Sequence, residues 1–335
     1  MDATNPVRGQ SSWLTILSRL DNIPYPDQED RKSCGGIFNH YWDFLLQEET
    51  QSHFVTVGHI TDWLVNKVHW DRHPRFTIDR DSKAINLDAS TGSEGTKALH
   101  ALIMELLDGG GIAGFDQLHR KNDCCQIPSP FDSVKVDRNA AQLFGIVTMG
   151  SHMNCYTRVP SEEGSRMMLW VPRRASNKKY DAGKLDNTVA GGITNGDSPL
   201  QTILAEAEEE AALSPDFVTE NIKTTSILTY YNQCPAAEGG HLRPRVLHTY
   251  ELELPPDLLP RPRDGEVDEF LLMDAEELRE AIMAGEMTDD AAIVWLDFLV
   301  RHCIVDEQNE PGLLHITDRM HRHLPFSTSC NGRGR

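Results

Sequence analysis

The sequence predicts an α/β protein: a mixed sheet with helices on both sides, preceded by a smaller α+β unit. Three observations carry that prediction. From Leu143 onwards, short apolar runs of strand character alternate with amphipathic helical segments. From Phe38 to Asp137 helix-like and strand-like segments are mixed in a less regular order. Within the strand-rich part lies one strongly marked acidic helix, inside residues 197–213. The 335 residues are enough for two domains.

Residues 1–35 read as a loosely ordered lead-in, with Pro24, Pro26 and a charged run to Lys32. The α+β unit is expected over 36–140. Residues 39–46 read as helix, 54–60 as strand and 60–68 as helix. Strands are expected at 76–78 and 84–87, and a helix at 96–107, stopped by Gly109-Gly110-Gly111. No Gly-Lys-Ser/Thr follows those glycines, which argues against a phosphate-binding P-loop. The second unit is expected over 141–308. Its strands are 144–149, 153–158, 167–172, 225–231, 245–254 and 269–273, and its later helices are 276–283 and 289–303. Residues 309–335 read as a loose tail that Leu313 and Leu314 dock.

The acidic helix is marked at both ends. Pro199 suits the first helical position, where a missing N–H costs nothing, which makes Ser198 the N-cap. Gln201, three residues on, completes a capping box. Ser214-Pro215 ends the helix. Leu200, Ile203, Leu204, Ala207 and Ala211 form an apolar stripe. Glu206, Glu209 and Glu210 stand at i, i+3 and i+4 along the border of that stripe, so three carboxylates share one patch. Unneutralised they repel one another; a hard cation with oxygen ligands, Mg²⁺ or Mn²⁺, resolves the conflict. Glu208 points away into solvent. A solvated acidic face is the alternative reading of such a run; the preceding pair Gly191-Gly192 and the capped entry favour a site.

These residues resemble the Nudix box, G-x5-E-x7-R-E-U-x-E-E-x-G-U, where U is bulky and apolar. Gly191 takes the first glycine, and Glu206, Glu209 and Glu210 match the three metal-facing glutamates. Asp197 stands for the first Glu, Ala205 for the Arg and Ala212 for the last Gly, followed by Leu213. In the family the Arg helps orient a catalytic Glu, a task Ala205 cannot perform. Residues 180–192, YDAGKLDNTVAGG, look like the Nudix subfamily labelled thiamin diphosphokinase-related, whose members carry an N-terminal domain ahead of the Nudix fold. The resemblance covers roughly 35–305 and is strongest over 144–213. It implies a Nudix-type α/β/α sandwich with a mixed sheet, and a metal-dependent hydrolase acting on an organic diphosphate. Oxidised thiamin diphosphates, cut to monophosphates, are the leading case.

The resemblance also implies site roles. Glu206, Glu209 and Glu210 are the expected metal ligands, with the Gly191 carbonyl oxygen as a fourth. Glu266, in a late loop, is the expected general base, and Glu206 or Glu209 can serve instead. Arg173, Arg174, Lys178, Lys179 and Lys184 form a basic cluster before the glycine pair. Arg173, Arg174 and Lys184 are the chosen phosphate contacts; a solubilising loop is the plainer reading. Asp186 and Asn187 are expected to shape a turn. His321 and His323 make a weak HxH, and His59 and Trp63 belong either to a pocket or, more commonly for such residues, to the core.

Composition narrows the function classes. The formal net charge of −19 disfavours nucleic acid and requires a local positive field for any anionic substrate. No apolar run reaches transmembrane length. Asp2, Asp21, Asp27 and Glu29 with no apolar stretch argue against a secretory signal, and an odd count of seven cysteines without CxxC points to reduced thiols in the cytoplasm. No GxSxG, HExxH or kinase signature is present. Two other functions compete: a catalytically weakened Nudix-fold binding module, supported by Asp197, Ala205 and Ala212, and a thiamin diphosphokinase, which lacks an ATP motif.

Overall fold

The computed structural model describes residues 12–25, 37–47, 54–108, 124–129, 134–162, 164–194, 196–235 and 239–328. The first described segment is not loose. Ser12 caps helix α1 (Trp13–Leu20) by accepting the Thr15 N–H. Trp13, Ile16, Leu17 and Leu20 make one helical stripe, and it is buried against Tyr156 and Trp295 of the second unit's core. This stripe is what a composition-based reading of a lead-in overlooks.

The α+β unit has a four-stranded sheet. Its strands are β1 (Tyr41–Gln47) and β2 (Phe54–Thr61), followed by helix α2 (Asp62–Lys67), then β3 (Phe76–Asp79) and β4 (Ala84–Leu87). The order is β2-β1-β4-β3, with β1 and β4 parallel and the other pairs antiparallel. Helix α3 (Gly92–Asp108) buries Leu99, Leu102, Ile103 and Leu106 against Phe44, Ile60 and Ile85. A short ribbon, β5 (Cys124–Gln126) with β6 (Lys135–Asp137), leads into the single turn α4 (Arg138–Ala141). The helix expected at 39–46 is a 3-10 turn followed by β1. In the sequence the near-continuous apolar residues Tyr41, Trp42, Phe44, Leu45 and Leu46 hide the period of two, although burial alternates along the strand from Trp42 to Gln47. The glycines at 109–111 lie outside the described residues.

The second unit is an α/β/α sandwich. Its elements are β7 (Thr148–Ser161), β8 (Gly164–Arg174), β9 (Val189–Gly192), α5 (Pro199–Ala211), α6 (Pro215–Asn221), β10 (Lys223–Gln233), β11 (Leu242–Glu253), β12 (Val267–Met273), α7 (Ala275–Ala284), α8 (Asp289–Arg301) and α9 (Leu313–Met320). The strand order is β10-β11-β7-β8-β12, with β9 also on β7. Only β11 and β7 run parallel, so the sheet is mixed. The strands expected at 144–149 and 153–158 are one element preceded by a 3-10 turn, Gln142–Phe144. Strand β7 is long enough to pair with β9 through 150–153 and with β8 through 155–161.

Alternation along the strands sorts two cores. Met153, Cys155 and Trp170 face α5 and α6, meeting Ile203, Ala207 and Val218. Tyr156, Leu169 and Val171 face the other layer, α7 and α8 with α1 and α9. The tail is docked as well. Ile316 and Met320 of α9 are buried, although Leu314 is exposed. Beyond it, Arg322 Nη1 donates to Asp21 Oδ1 at 2.8 Å, a buried pair that ties the tail to the segment after α1.

Candidate active site

Helix α5 is held at its start and at its end. Ser198 Oγ accepts the Gln201 N–H and Gln201 Oε1 accepts the Ser198 N–H, closing the expected capping box. Ser151 Oγ of β7 donates to the Pro199 carbonyl at 2.8 Å. At the far end Ala212 adopts φ 54°, the left-handed cap that glycine occupies without strain. Pro215 does not merely stop α5; it begins α6. Asp197 lies in the preceding turn, where its carboxylate accepts Thr194 Oγ1. Glu208 pairs with Arg263 on the surface at 3.0 Å.

The glutamates differ in burial. Glu209 is exposed, Glu206 is partly covered and Glu210 is buried. Glu210 Oε2 accepts the Ala190 N–H at 3.0 Å, which fixes it beneath β9. Glu206 lies across Gly191: a Cβ built there would stand 2.1 Å from Glu206 Oε1. Burial, then the charges of Glu209 and Glu266, push the Glu206 carboxyl up to about 7, against the pull of Arg138. Burial and the Glu206 charge push Glu210 well above the usual carboxylate range. Among the described residues no group of three or more His, Cys, Asp or Glu side chains closes tightly enough to hold a metal as it stands. The donor set nevertheless fits a hard cation: all its ligating atoms are oxygens, and partly desolvated like charges gain from a positive ion.

A pH dependence follows. A carboxyl raised in the folded state stabilises the fold most below the unfolded carboxylate pKa, and that contribution is lost as pH rises through the folded value. Metal-free protein is therefore expected to melt at falling temperature as pH climbs from the ordinary carboxylate range through about 7. Thermal melts in chelator across that range, with Glu206→Gln flattening the curve, check this. A wild-type melting temperature that rises over the same interval contradicts it.

Across from the glutamates, Pro172, Arg174, Asp186, Asn187, Ala190, Glu266 and Val267 line a cleft with Glu210. Arg174 is paired with Asp186, whose Oδ1 accepts the Asn187 N–H at 2.9 Å. Asn187 Nδ2 donates to Asn154 Oδ1 at 2.7 Å, and its oxygen meets His152 Nδ1 at 2.9 Å. Glu266 is ion-paired with Lys178, and its backbone N–H donates to Asp264 Oδ1. Thus Glu206, Glu209, Glu210, Gly191, Glu266 and Arg174 come together. Arg173 turns instead to Glu269 at 3.0 Å, and Lys184 to Asp181 at 2.7 Å.

Sequence reasoning did not place Asp186 and Asn187 in the cleft wall, where they lie as well as turning the chain, nor Arg138 beside Gly192. His59 is buried, bonded through Nδ1 to Tyr231 Oη at 2.6 Å, so it is a core residue; Trp63 is half-exposed. His321 donates through Nδ1 to the Ile227 carbonyl.

Comparison with known proteins bears on this arrangement. Residues 157–296 match the NUDIX domain family model. An uncharacterized protein of Saccharomyces cerevisiae, YJR142W, is 35% identical over 333 residues, spanning 95% of this chain and 92% of that one. Nudix hydrolase 24, chloroplastic, of Arabidopsis thaliana is 30% identical over 332 residues, spanning 95% and 86% respectively. The NUDIX domain of Shewanella oneidensis NrtR, solved with ADP ribose, aligns with TM-score 0.35 and 15% identity over 48% of this chain and 91% of that one. No helix among the described residues is long and apolar enough to cross a membrane.

Proposed function

The chain belongs to the Nudix family and is a Nudix-type hydrolase acting on phosphoanhydride bonds, and from that premise we propose that the cleft between α5 and the Arg174–Glu266 wall cuts an organic diphosphate. The observation that carries this reading is the convergence of Glu206, Glu210 and Glu266, with raised carboxyl pKa values at the first two. Nudix hydrolases generally use divalent ions such as Mg²⁺ or Mn²⁺. In this proposal Glu206, Glu209, Glu210 and the Gly191 carbonyl hold the ion, which when bound neutralises phosphate oxygens and acidifies water.

The chain's own residues do the rest. Arg174, already at the cleft, turns a charged donor toward a phosphate oxygen. Arg173 and Lys184 stay in their ion pairs. Glu266, anchored through Lys178, takes the proton of the attacking water. The water oxygen bonds to one phosphorus, the bridging P–O bond breaks, and monophosphate ester and phosphate leave.

The resemblance over residues 180–192 makes oxidised, neutral-ring thiamin diphosphates the finer substrate proposal. The test is a panel of oxidised thiamin diphosphates, nucleotide sugars and prenyl diphosphates, each with Mg²⁺ or Mn²⁺ and scored for phosphate or monophosphate release. Turnover of the thiamin derivatives above the others supports the finer reading; preference for another class replaces it; no turnover of any rejects the cleft assignment. A cytoplasmic location belongs to the same proposal, on the reading of seven cysteines without CxxC spacing as reduced thiols. Fractionation of the tagged protein into an organelle would contradict it.

A further inference from the structure

We propose that His152 of β7 is a specificity-determining residue whose Nε2, opening over Gly150, accepts a hydrogen bond from an uncharged N–H or O–H group on the organic part of the substrate. This deepens, and rests on, the reading of the adjoining cleft as the hydrolytic site.

His152 is only 6% exposed, and a chain of hydrogen bonds fixes its tautomer. Asn154 Nδ2 donates to the Val294 carbonyl at 3.3 Å, and a carbonyl can only accept. That orients the Asn154 amide and turns its Oδ1 to Asn187, whose Nδ2 donates to it at 2.7 Å. The Asn187 oxygen must then accept from His152 Nδ1, 2.9 Å away, so the ring hydrogen is on Nδ1. In the neutral ring the lone pair is left on Nε2, which has no hydrogen-bond partner among the described residues. Asp290 lies within electrostatic reach of the ring, but its oxygens accept Tyr230 Oη and Arg245 Nη2. A buried acceptor without a donor is costly, and a ligand that donates to it removes the cost.

Nε2 opens onto a floor of two glycines. Gly150 and Gly192 are register partners in β7 and β9, so their missing side chains belong to one face of the ribbon, the face that His152 shares. Neither glycine has a left-handed backbone, so conformation does not require glycine there. Space does. A Cβ on Gly150 would stand 2.8 Å from His152 Nε2 and 3.6 Å from the Gly191 carbonyl oxygen, and a Cβ on Gly192 would stand 1.6 Å from Arg138 Nη1. The gap over Gly150 is thus bordered by Nε2 and by the carbonyl proposed above as a cation ligand. Asn187, which holds the ring, lines the cleft itself. A substrate whose diphosphate occupies the cleft can bring its organic group to Nε2. The Arg138 guanidinium across the floor repels a cationic group, so the donor is uncharged.

The experiment uses the full chain with Mg²⁺. The probes are an oxidised thiamin diphosphate and ADP-ribose, each with analogues in which one amino or hydroxyl group of the organic part is replaced by hydrogen. In the wild type one such replacement is expected to lower kcat/KM by ~10- to 100-fold, the scale of a buried acceptor left without its donor; an amino or a hydroxyl group is thereby identified as the donor. His152→Asn keeps a donor for the Asn187 oxygen but has nothing at the Nε2 position, and the ratio between parent and analogue is expected to collapse towards one. His152→Gln returns an amide oxygen near the Nε2 position and recovers part of that ratio. A merely structural role would lower kcat/KM for parent and analogue alike and preserve their ratio, and that result overturns the proposal. So does a wild type indifferent to every replacement, or one that prefers prenyl diphosphates, whose chains carry no such donor. If the wild type cleaves none of the panel, the hydrolase reading fails and calorimetry with the same compounds decides. Tighter binding of a parent than of its analogue, lost in His152→Asn, sustains the role of His152, and equal binding removes it.

Discussion

Glu210→Gln is expected to lower Mg²⁺-dependent turnover by ~10²- to 10³-fold, the range for losing one strong electrostatic contributor, and to raise the melting temperature of the metal-free protein. The two effects share one cause. Glu210 is buried, and its carboxyl is pushed well above the usual range by burial and by Glu206. As a charge it destabilises the folded chain; as a ligand that same charge attracts the cation. Glutamine keeps the shape and still accepts the Ala190 N–H, so the strand–helix contact survives. Glu209→Gln is expected to lose activity to a similar degree without the gain in stability, because Glu209 is exposed. Phosphate release and thermal melts in chelator on the two purified variants check the pair. Unchanged turnover in a folded variant would falsify the metal-ligand assignment.

Gly191→Ala is the second large effect. The new methyl would meet Glu206 at 2.1 Å from Oε1 and 2.5 Å from Cδ and Cγ. No arrangement keeps both in place. The contacted atoms belong to a flexible side chain rather than to backbone, so Glu206 yields and the strand does not. Turnover is expected to fall ~100-fold, as for a catalytic group displaced by about an ångström, with the far-UV spectrum unchanged. The Gly191→Ala, Glu206→Gln double variant should lose little more than either single change, since both act through one carboxylate. Additive losses in the double variant would mean that Gly191 serves the site by another route.

The acidic helix was legible because its signals are local and redundant. A capping serine, an N1 proline, a reciprocal glutamine and a three-glutamate face all fall within thirteen residues of α5 and its cap. Strands β8, β10, β11 and β12 were legible as short apolar or β-branched runs bounded by polar segments. Three features were hidden. At 39–46 apolar residues on both faces of β1, Leu45 beside Phe44 and Leu46, masked the period of two that identifies a strand. At 144–149 a continuous apolar run crosses from one core to another, and such a run has no period to read: Phe144 and Ile146 are buried in the first core, while Val147 packs in a small cluster with Tyr231. The ends of the chain were judged by composition, although α1 and α9 each present a short stripe that only the assembled sheet makes a reason to fold.

The site divides the same way. Glu206, Glu209, Glu210 and Gly191 are close in sequence and were found from spacing and the family pattern. Arg174 stood out as a cationic side chain in an acidic protein. Asp186 and Asn187 read as turn formers because their partners, Thr288, Asn154 and His152, come from distant segments. Arg138 carries no local mark at all; only the fold brings its guanidinium into the space beside Gly192.

The most direct test of the account is an anomalous difference map from crystals of the full chain grown with Mn²⁺ and a non-hydrolysable diphosphate. The account requires manganese beside the Gly191 carbonyl, bound by carboxylate oxygens of Glu206, Glu209 and Glu210 and in contact with the diphosphate. Diphosphate seated in the cleft with no anomalous peak at those carboxylates, or manganese bound elsewhere on the chain, would contradict it.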